Sequence, residues 1–270
     1  MTKTSGMNLQ VLLSCMHKKE FSIIEKSNLT MVNTLIINQC DENRIIDLDN
    51  KHRVINTSTR GLSVSRNLAI QNASEDLCLI CDDDEIFVDN LETIITTAYL
   101  ENPDADIIIF KMFNQGAKFG NQRRKLRKYE LMRVASWQVS FRHKSVKNII
   151  EFDPFLGAGT PSGSGEENKF LNECYKKNLN IYYEPVELGY VAQEKSTWFH
   201  GYDKDYFYRH GSKIRYIYGL PFALMYNLYF VLTKINMYKK DSSVIDAFRW
   251  TLKGIKDNNI NKRKLRTYGE

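Results

Sequence analysis

The sequence of residues 61–87 is Gly-Leu-Ser-Val-Ser-Arg-Asn-Leu-Ala-Ile-Gln-Asn-Ala-Ser-Glu-Asp-Leu-Cys-Leu-Ile-Cys-Asp-Asp-Asp-Glu-Ile-Phe. It predicts a helix over 61–73, followed by an apolar strand over 76–81 that ends in four acids, Asp82 to Glu85. Four adjacent carboxylates repel one another and cost stability unless a cation gathers them. Because these acids follow a buried strand, we expect them at the carboxyl edge of a sheet, where open α/β folds bind ligands.

The spacing of the acids favours one pair among them. Asp82 and Asp84 are two residues apart and form a D-x-D pair, which suits a hard divalent cation that also holds phosphate oxygens. The alternative is a solvated acidic turn, the usual explanation for an acidic run. The apolar strand directly before the acids favours the cation site.

Strand and helix patterns alternate along the first half of the chain. Strands are predicted at 9–14, 34–38, 53–56, 76–81 and 105–111, and helices at 18–31, 61–73 and 91–101. This alternation is typical of crossover connections between parallel strands. The sequence therefore predicts an α/β fold with a mostly parallel central sheet and helices on both faces.

The pattern changes in the second half. A loop with four glycines and two prolines spans 152–165, a helix is predicted from Glu166 to about 177, and a strand resumes at 181–183. Residues 216–233 carry no charge and just reach the length that spans a bilayer. Their aromatic residues suit a lipid headgroup region, so a helix lying in the membrane surface is favoured over a buried core helix or a span.

Composition limits the class of protein. The 270 residues carry a net charge of +6 with 43% hydrophobic residues, which is ordinary for a globular protein. Residues 118–147 hold ten basic residues against one acid, a pattern that fits an anionic membrane or a phosphate-bearing substrate. No nucleic-acid motif accompanies this charge, so no nucleic-acid partner is expected.

Cysteine usage predicts a reducing compartment. The five cysteines form no disulfide framework, and Cys78 and Cys81 lie inside a predicted buried strand without a second pair to complete a zinc site. We interpret them as small core residues. No signal peptide opens the chain, so a cytoplasmic protein is expected.

Several motifs in order carry a family resemblance. They are Gly-Leu-Ser-x-Ser-Arg-Asn-x-Ala from residue 61, Asp-Asp-Asp from 82, Gly-Glu-Glu-Asn-x-Phe-Leu from 165, Trp-Phe-x-Gly from 198 and Arg-His-Gly from 209. The set resembles the family-2 glycosyltransferases, inverting enzymes with the Rossmann-like GT-A fold, especially bacterial members that build capsule or exopolysaccharide. The match covers residues 8–212 as a catalytic domain, which leaves 213–270 as a helical appendage that associates with membranes.

The resemblance implies a nucleotide-sugar donor, UDP-linked in many members, and a Mn²⁺ or Mg²⁺ ion at the D-x-D pair. Asp84 would be the principal metal ligand, and Asp82 would face both the ribose and the metal. The other donor-side positions implied by the match are Ser14, Asn38, Arg66 and Asp83. Arg66 also has an ordinary interpretation as a helix-surface arginine.

The Gly-Glu-Glu motif implies a general base. By the resemblance Glu167 removes the proton of the attacking sugar hydroxyl, while Glu166 stays an alternative because the family more often has Glu-Asp here. A structural alternative is a capping box in which Glu167 pairs with Ser164 at the helix start.

Further positions are expected around the acceptor. Trp198 could stack on a sugar face, Gly159 lies in the glycine-rich loop, and His200 could reach the metal or diphosphate. Core packing is the alternative explanation for both Trp198 and His200.

Together these features predict an inverting transferase that moves a sugar to a hydroxyl of a saccharide acceptor, itself lipid-linked, in bacterial surface polysaccharide synthesis. The enzyme would sit peripherally on the inner face of the cell membrane through residues 214–240. The rivals are a nucleotidyltransferase acting on sugar phosphates, and a saccharide- or membrane-binding scaffold without turnover. The first would usually carry a glycine-rich loop after the first strand, which is absent at 14–20.

Overall fold

The chain forms two compact units in the computed structural model, which describes residues 6–113, 119–192 and 201–268. The first unit comprises residues 1–154 and 166–194, and the second comprises 155–165 and 195–270.

The first unit contains strands and helices in alternation. Its strands are β1 (Leu9–Met16), β2 (Asn33–Gln39), β3 (Arg44–Asp47), β4 (His52–Thr57), β5 (Leu77–Cys81), β6 (Glu85–Phe87), β7 (Ile107–Lys111), β8 (Arg124–Lys125), β9 (Val139–Arg142), β10 (Ile181–Glu187) and β11 (Gly189–Val191). Its α-helices are α1 (Ile23–Lys26), α2 (Leu62–Asn72), α3 (Leu91–Glu101), α4 (His143–Val146) and α5 (Glu166–Lys176). Two short 3₁₀ helices span Lys128–Arg133 and Ser136–Gln138.

Among the residues that the structure describes, nine strands form one sheet in the order β3-β4-β2-β1-β5-β9-β7-β10-β8, and β6 pairs with β11 in a separate ribbon. Strands β4, β2, β1 and β5 run parallel, as do β7 and β10. The edge strands β3 and β8 and the central β9 pair antiparallel with their neighbours. The predicted mostly parallel sheet is confirmed.

Side chains alternate between the two faces of the sheet and build a core on each. In β5, Cys78 and Ile80 join one apolar cluster with α2 and α5, whereas Leu77, Leu79 and Cys81 join another with α3. This alternation follows from the two-residue period of a strand. Helices on both faces are thereby confirmed, and the five cysteines are free thiols, four of them buried.

Two local predictions need correction. The helix predicted over 18–31 is only one turn long, because Asn28 adopts a left-handed conformation (φ 57°) that ends it after Lys26. The first strand does not end at Ser14 as predicted but continues to Met16.

The second unit is helical. It contains α6 (Lys204–Tyr218), α7 (Leu220–Thr233), α8 (Ile235–Tyr238), α9 (Val244–Asp257) and α10 (Asn259–Tyr268). Asp203 and Ser243 cap α6 and α9 by accepting backbone N–H bonds. Phe207, Phe230, Val231, Tyr238 and Ala247 form its main apolar cluster. In this unit Ser164 accepts a hydrogen bond from Lys213 at 2.6 Å.

The uncharged run at 216–233 is not one helix. Gly219, at φ +88°, separates α6 from α7, and Pro221 follows in the first turn of α7. Within the described ranges, no helix combines the length and apolar character needed to cross a bilayer.

Candidate active site

Polar side chains gather at the carboxyl ends of the parallel strands. Ser14 near the end of β1 is buried and accepts a hydrogen bond from Ser65 of α2 at 2.8 Å. Asn38 near the end of β2 is also buried, and its amide contacts the backbone of Lys18 and the side chain of Asn56. The Asn38 side chain thus holds the loop after β1 in place.

Arg66 joins the acidic cluster to the Gly-Glu-Glu motif. Its Nη2 lies 2.8 Å from Asp82 Oδ1, and its Nη1 lies 2.9 Å from Glu166 Oε1. In the sequence, Asp82 lies 16 positions and Glu166 lies 100 positions after Arg66. Burial alone would lower the pKa of the guanidinium, but Asp82 and Glu166 outweigh it and the pKa is raised. Arg66 is therefore a buried bridge between two motifs and not a helix-surface arginine.

Neighbouring residues hold this guanidinium in position. Arg66 lies over the Phe152 ring at 5.4 Å from its centroid, and that ring stacks on Phe170. Asn67 fixes the backbone of Phe152 with two hydrogen bonds of 2.7 and 2.8 Å. Ser136 Oγ adds a 3.3 Å contact to Asp82 Oδ2. The Arg-Asn pair of α2 thus anchors the segment before the glycine-rich loop.

The four acids after β5 occupy different environments. Asp83 is exposed and pairs with Lys18 at 2.9 Å. Asp84 is half-buried, and burial together with Asp82 and Asp83 raises its pKa. Glu85 is fully buried, accepts the backbone N–H of Asp82, and has its pKa raised well above the usual range by burial and by Asp82.

The described residues contain no group of three or more His, Cys, Asp or Glu arranged around a common metal position. A nucleotide-bound Mg²⁺ needs fewer protein ligands, because one or two carboxylates share it with substrate phosphates. Asp84 makes no ion pair with another described residue, and its burial, together with the negative charges of Asp82 and Asp83, raises its pKa. The residues present therefore fit such an ion.

The two glutamates that begin α5 differ in their surroundings. Glu166 is buried, with Oε1 on Arg66 and Oε2 without a hydrogen-bond partner among the described residues. Glu167 is partly exposed, and its charge also contributes to the raised pKa of Arg66.

The acceptor-side predictions are only partly described. Gly159 is exposed in the second unit with φ +84°. Trp198 and His200 lie outside the described residues.

Much of the basic segment at 118–147 is engaged within the first unit. Arg123 pairs with Glu101 and Glu184, and Arg124 pairs with Glu130. Arg142 donates to the backbone carbonyls of Tyr99, Ala105 and Pro103. These arginines are therefore paired within the first unit, and the membrane or phosphate partner expected of the segment stays a prediction.

Ser136, Phe152 and the clamping role of Asn67 are not predicted by the sequence pattern. No local pattern marks Ser136 or Phe152, because their link to Asp82 and Arg66 is made only by the tertiary structure. Asn67 belongs to the motif that begins at residue 61, but the motif predicts no particular contact for it.

Comparison with known proteins bears on this geometry. Residues 36–153 match the family model described as glycosyl transferase family 2. Over this segment the chain matches glycosyl transferase family 2. Within the described part of that segment lie Asn38, Arg66 and all four acids after β5. A comparison with curated proteins gave no match.

Solved structures share the GT-A fold of this chain. The S. aureus TarS fragment 1–349 is 14% identical with a TM-score of 0.54, covering 98% of this chain and 92% of that one. The complex of this TarS fragment with UDP-GlcNAc has a TM-score of 0.58 and is 14% identical, covering 98% of this chain and 93% of that one. The mannosyltransferase PcManGT from Pyrobaculum calidifontis, in complex with GDP-Man and Mn²⁺, is 8% identical with a TM-score of 0.50, covering 99% and 77%.

Proposed function

We propose that this protein is a family-2 glycosyltransferase that transfers a sugar from a UDP-linked donor to a hydroxyl of a saccharide acceptor, with inversion at the anomeric carbon. The observation that carries the proposal is Arg66, whose buried guanidinium holds Asp82 and Glu166 in one cluster. The complexes of TarS with UDP-GlcNAc and of PcManGT with GDP-Man support a nucleotide-sugar donor.

The proposed chemistry is a single displacement. The acceptor oxygen forms a bond to the anomeric carbon while the bond from that carbon to the phosphate oxygen breaks. The electron pair leaves with the nucleoside diphosphate, and the acceptor proton passes to Glu167 as general base. Glu167 is favoured over Glu166 because Glu166 is buried and already bound to Arg66.

Asp84, together with Asp82, would hold a Mn²⁺ or Mg²⁺ ion. When bound, such an ion neutralises the charge that develops on a departing nucleoside diphosphate. Arg66 fixes the Asp82 carboxylate by hydrogen bonds of 2.8 and 3.0 Å to its two oxygens, so Asp82 is held in one orientation. Asn38 and Ser14 order the strand ends where the donor would lie.

The test is a panel of nucleotide sugars, each with Mn²⁺ and with a chelator, scored for released nucleoside diphosphate. We expect one UDP-sugar to be consumed with Mn²⁺ and spared with the chelator. Asp84→Ala should abolish this turnover, whereas Asp89→Ala, which removes an exposed acid from the loop before α3, should retain it. Full activity of Asp84→Ala would contradict the metal role, and turnover of no donor would contradict the transferase.

We also propose that the acceptor is lipid-linked, in bacterial surface polysaccharide synthesis, and that the enzyme binds the inner membrane face through residues 214–240. One face of α7 supports this, because its large apolar side chains are exposed at helical spacing: Leu220, Leu224, Met225, Leu228 and Leu232. Met225 and Leu232 are 63% and 59% exposed. Lys234, Lys239 and Lys240 follow directly, a combination suited to anionic headgroups.

Sedimentation with vesicles tests the membrane proposal. The intact protein should sediment with vesicles rich in anionic phospholipid and less with neutral ones. The double variant Leu224→Gln/Leu228→Gln should lose this binding, while Met31→Gln/Leu100→Gln, which changes exposed apolar residues of the first unit, should keep it. Equal sedimentation of both variants would remove α7 as the contact.

A further inference from the structure

Apart from the Arg66 cluster, a polar pocket lies wholly within the helical unit. It has a volume of about 340 Å³ and is lined by Ser162, Arg209, Ser212, Asn259, Lys262 and Arg263 together with neighbouring residues. This volume falls within the range of small-ligand sites, roughly 300–1,000 Å³. None of these residues belongs to the cluster around Arg66.

The lining is cationic. Arg209, Lys262 and Arg263 form no ion pair with another described residue, although Arg209 Nε donates to the Asp205 carbonyl oxygen at 3.3 Å. Asp257 is nearby, where it accepts the hydroxyl of Tyr208 at 3.0 Å, but it does not line the pocket. Three cations around one concave surface attract and concentrate anions.

Polar groups at this pocket also lack partners. The hydroxyls of Ser162 and Ser212 and the Nε of Arg263 are sealed from bulk water and make no hydrogen bond with any described group. Ser162 is 6% exposed and Ser212 is 3% exposed. Leaving such a donor unpaired costs about 1–3 kcal/mol, so native proteins usually supply a partner such as a bound ion. The Nε–H of Arg263 can only donate and both serine hydroxyls can donate, so an acceptor such as a phosphate oxygen is a partner that suits all three groups.

The start of a helix adds to the same polarity. Helix α10 begins at Asn259, which lines the pocket, and the first N–H groups of a helix favour a negative charge. Guanidinium groups match the oxygens of a phosphate in two-bond geometry, which a monovalent halide cannot offer.

We propose that this pocket binds a phosphate group, and that in the enzyme it holds a phosphate of the acceptor. The second half rests on the proposed function. Ser162 lies on the glycine-rich loop four residues before Glu166, so a phosphate held by Ser162 is held by the segment that leads directly into the Gly-Glu-Glu motif.

Calorimetric titration of the intact protein with inorganic pyrophosphate tests the binding, with a chelator present and at constant ionic strength. We expect Arg209→Gln and Arg263→Gln each to weaken binding at least 10-fold. Arg249→Gln, which removes the same charge from an exposed position of α9 outside the pocket, should leave it unchanged. Asp84→Asn should also bind normally, since the first unit is not required.

A second variant guards against misfolding. Ser212→Ala removes an unpaired buried hydroxyl, so it should fold at least as stably as the wild type while binding pyrophosphate more weakly. Absence of pyrophosphate binding, or binding unchanged in both arginine variants, would overturn the proposal. This titration does not depend on turnover. If pyrophosphate binds as expected but the separate panel of nucleotide sugars shows no hydrolysis, the transferase proposal fails and the phosphate-pocket proposal stands.

The source of the phosphate is tested with two further ligands. Glucose 1-phosphate represents the sugar phosphate of the proposed lipid-linked acceptor, and dihexanoyl phosphatidic acid represents the headgroup of a membrane phospholipid. Binding of glucose 1-phosphate that depends on Arg209 and Arg263 supports an acceptor phosphate. Binding of phosphatidic acid alone would overturn the acceptor role.

Discussion

Arg66 is buried with two carboxylates against it, so its role differs from that of a surface arginine. Removing one partner of a buried ion pair costs about 3–5 kcal/mol, because a charge is left without compensation. Glu166 is one of these partners and is buried, whereas Glu167 is partly exposed. The two adjacent glutamates should therefore fail in different ways when they are altered.

We expect Glu167→Gln to lower kcat by about 100-fold or more with little change in unfolding temperature, because a general base contributes about 10²–10⁴ to the rate. Glu166→Gln should instead lower the unfolding temperature, since it neutralises a partner of Arg66. Glu173→Gln, farther along the same helix, is the activity control. Steady-state kinetics and thermal unfolding separate the cases, and the reverse pattern would assign the base to Glu166.

His210 predicts a pH dependence of stability. Its Nε2 is sealed from solvent without a hydrogen bond, and its ring packs on Tyr206 and Phe230. Burial, with a smaller effect of Lys213, lowers the pKa of His210 to about 3. The unfolded chain binds a proton below about pH 6.5, whereas the folded chain does so only near the lowered value, so stability falls as the pH falls through this window.

Through His210, the free energy of unfolding of the wild type should be about 1–2 kcal/mol lower at pH 5 than at pH 7, since each pKa unit corresponds to about 1.4 kcal/mol. His210→Phe keeps a packed ring without the proton site and should flatten that part of the pH profile. Urea unfolding between pH 5 and 8 measures the difference. A slope that is the same in both proteins would show that another group is responsible.

At the scale of elements, α6 and α9 approach closely through two glycines. A Cβ at Gly211 would lie 2.1 Å from the Thr251 carbonyl oxygen, and one at Gly254 would lie 2.0 Å from the Tyr208 carbonyl oxygen. Both contacts are with backbone, which cannot move aside as a flexible side chain can. The helix pair therefore depends on the absence of side chains at these positions.

We expect Gly254→Ala to destabilise the protein by about 1–3 kcal/mol or more, because overpacking forces the helices apart. The intrinsic helix preference of alanine acts in the opposite direction by roughly 1 kcal/mol, so a net loss identifies the close approach. Lys253→Ala at an exposed neighbouring position is the control. Chemical denaturation measures both, and a Gly254→Ala protein as stable as the wild type would contradict the packing.

At the scale of the whole molecule, residues 155–165 of the glycine-rich loop belong to the helical unit. Leu156 of the loop is buried with Ile217 of α6 and Ile260 of α10. The division predicted from sequence, 8–212 and 213–270, stays a prediction about domains. A chain that stops at residue 212 would nevertheless leave Leu156 without these two partners.

We therefore expect a chain truncated after residue 212 to be cleaved by proteases within 155–165, because this loop loses its apolar support. The intact chain should resist cleavage there. Limited proteolysis followed by mass spectrometry locates the cuts, and Leu156→Ala in the intact chain should reproduce part of the effect. Identical cleavage maps for the intact and truncated chains would contradict this dependence.

Local patterns in the sequence were sufficient for the parallel sheet, the strand before the acids, and α3, whose predicted and observed limits agree. These features follow from periodicity and from helix and strand preferences over a few neighbouring residues. The local patterns did not predict the effects of Asn28 and Gly219, which both have positive φ. Asn28 ends one helix early and Gly219 separates two helices, where apolar periodicity predicts one longer helix in each case. Backbone conformation at a single residue leaves almost no trace in a hydrophobic pattern.

By itself, the sequence determined that an acidic D-x-D pair follows a buried strand and that a Gly-Glu-Glu motif opens a later helix, because each depends on neighbouring residues. Only the tertiary structure decided that Arg66 bridges Asp82 and Glu166, that Glu166 is buried while Glu167 is partly exposed, and that three cations gather around unpaired serine hydroxyls in the helical unit. Contacts between residues 100 positions apart depend on how the sheet and helices pack, and no local pattern encodes that packing.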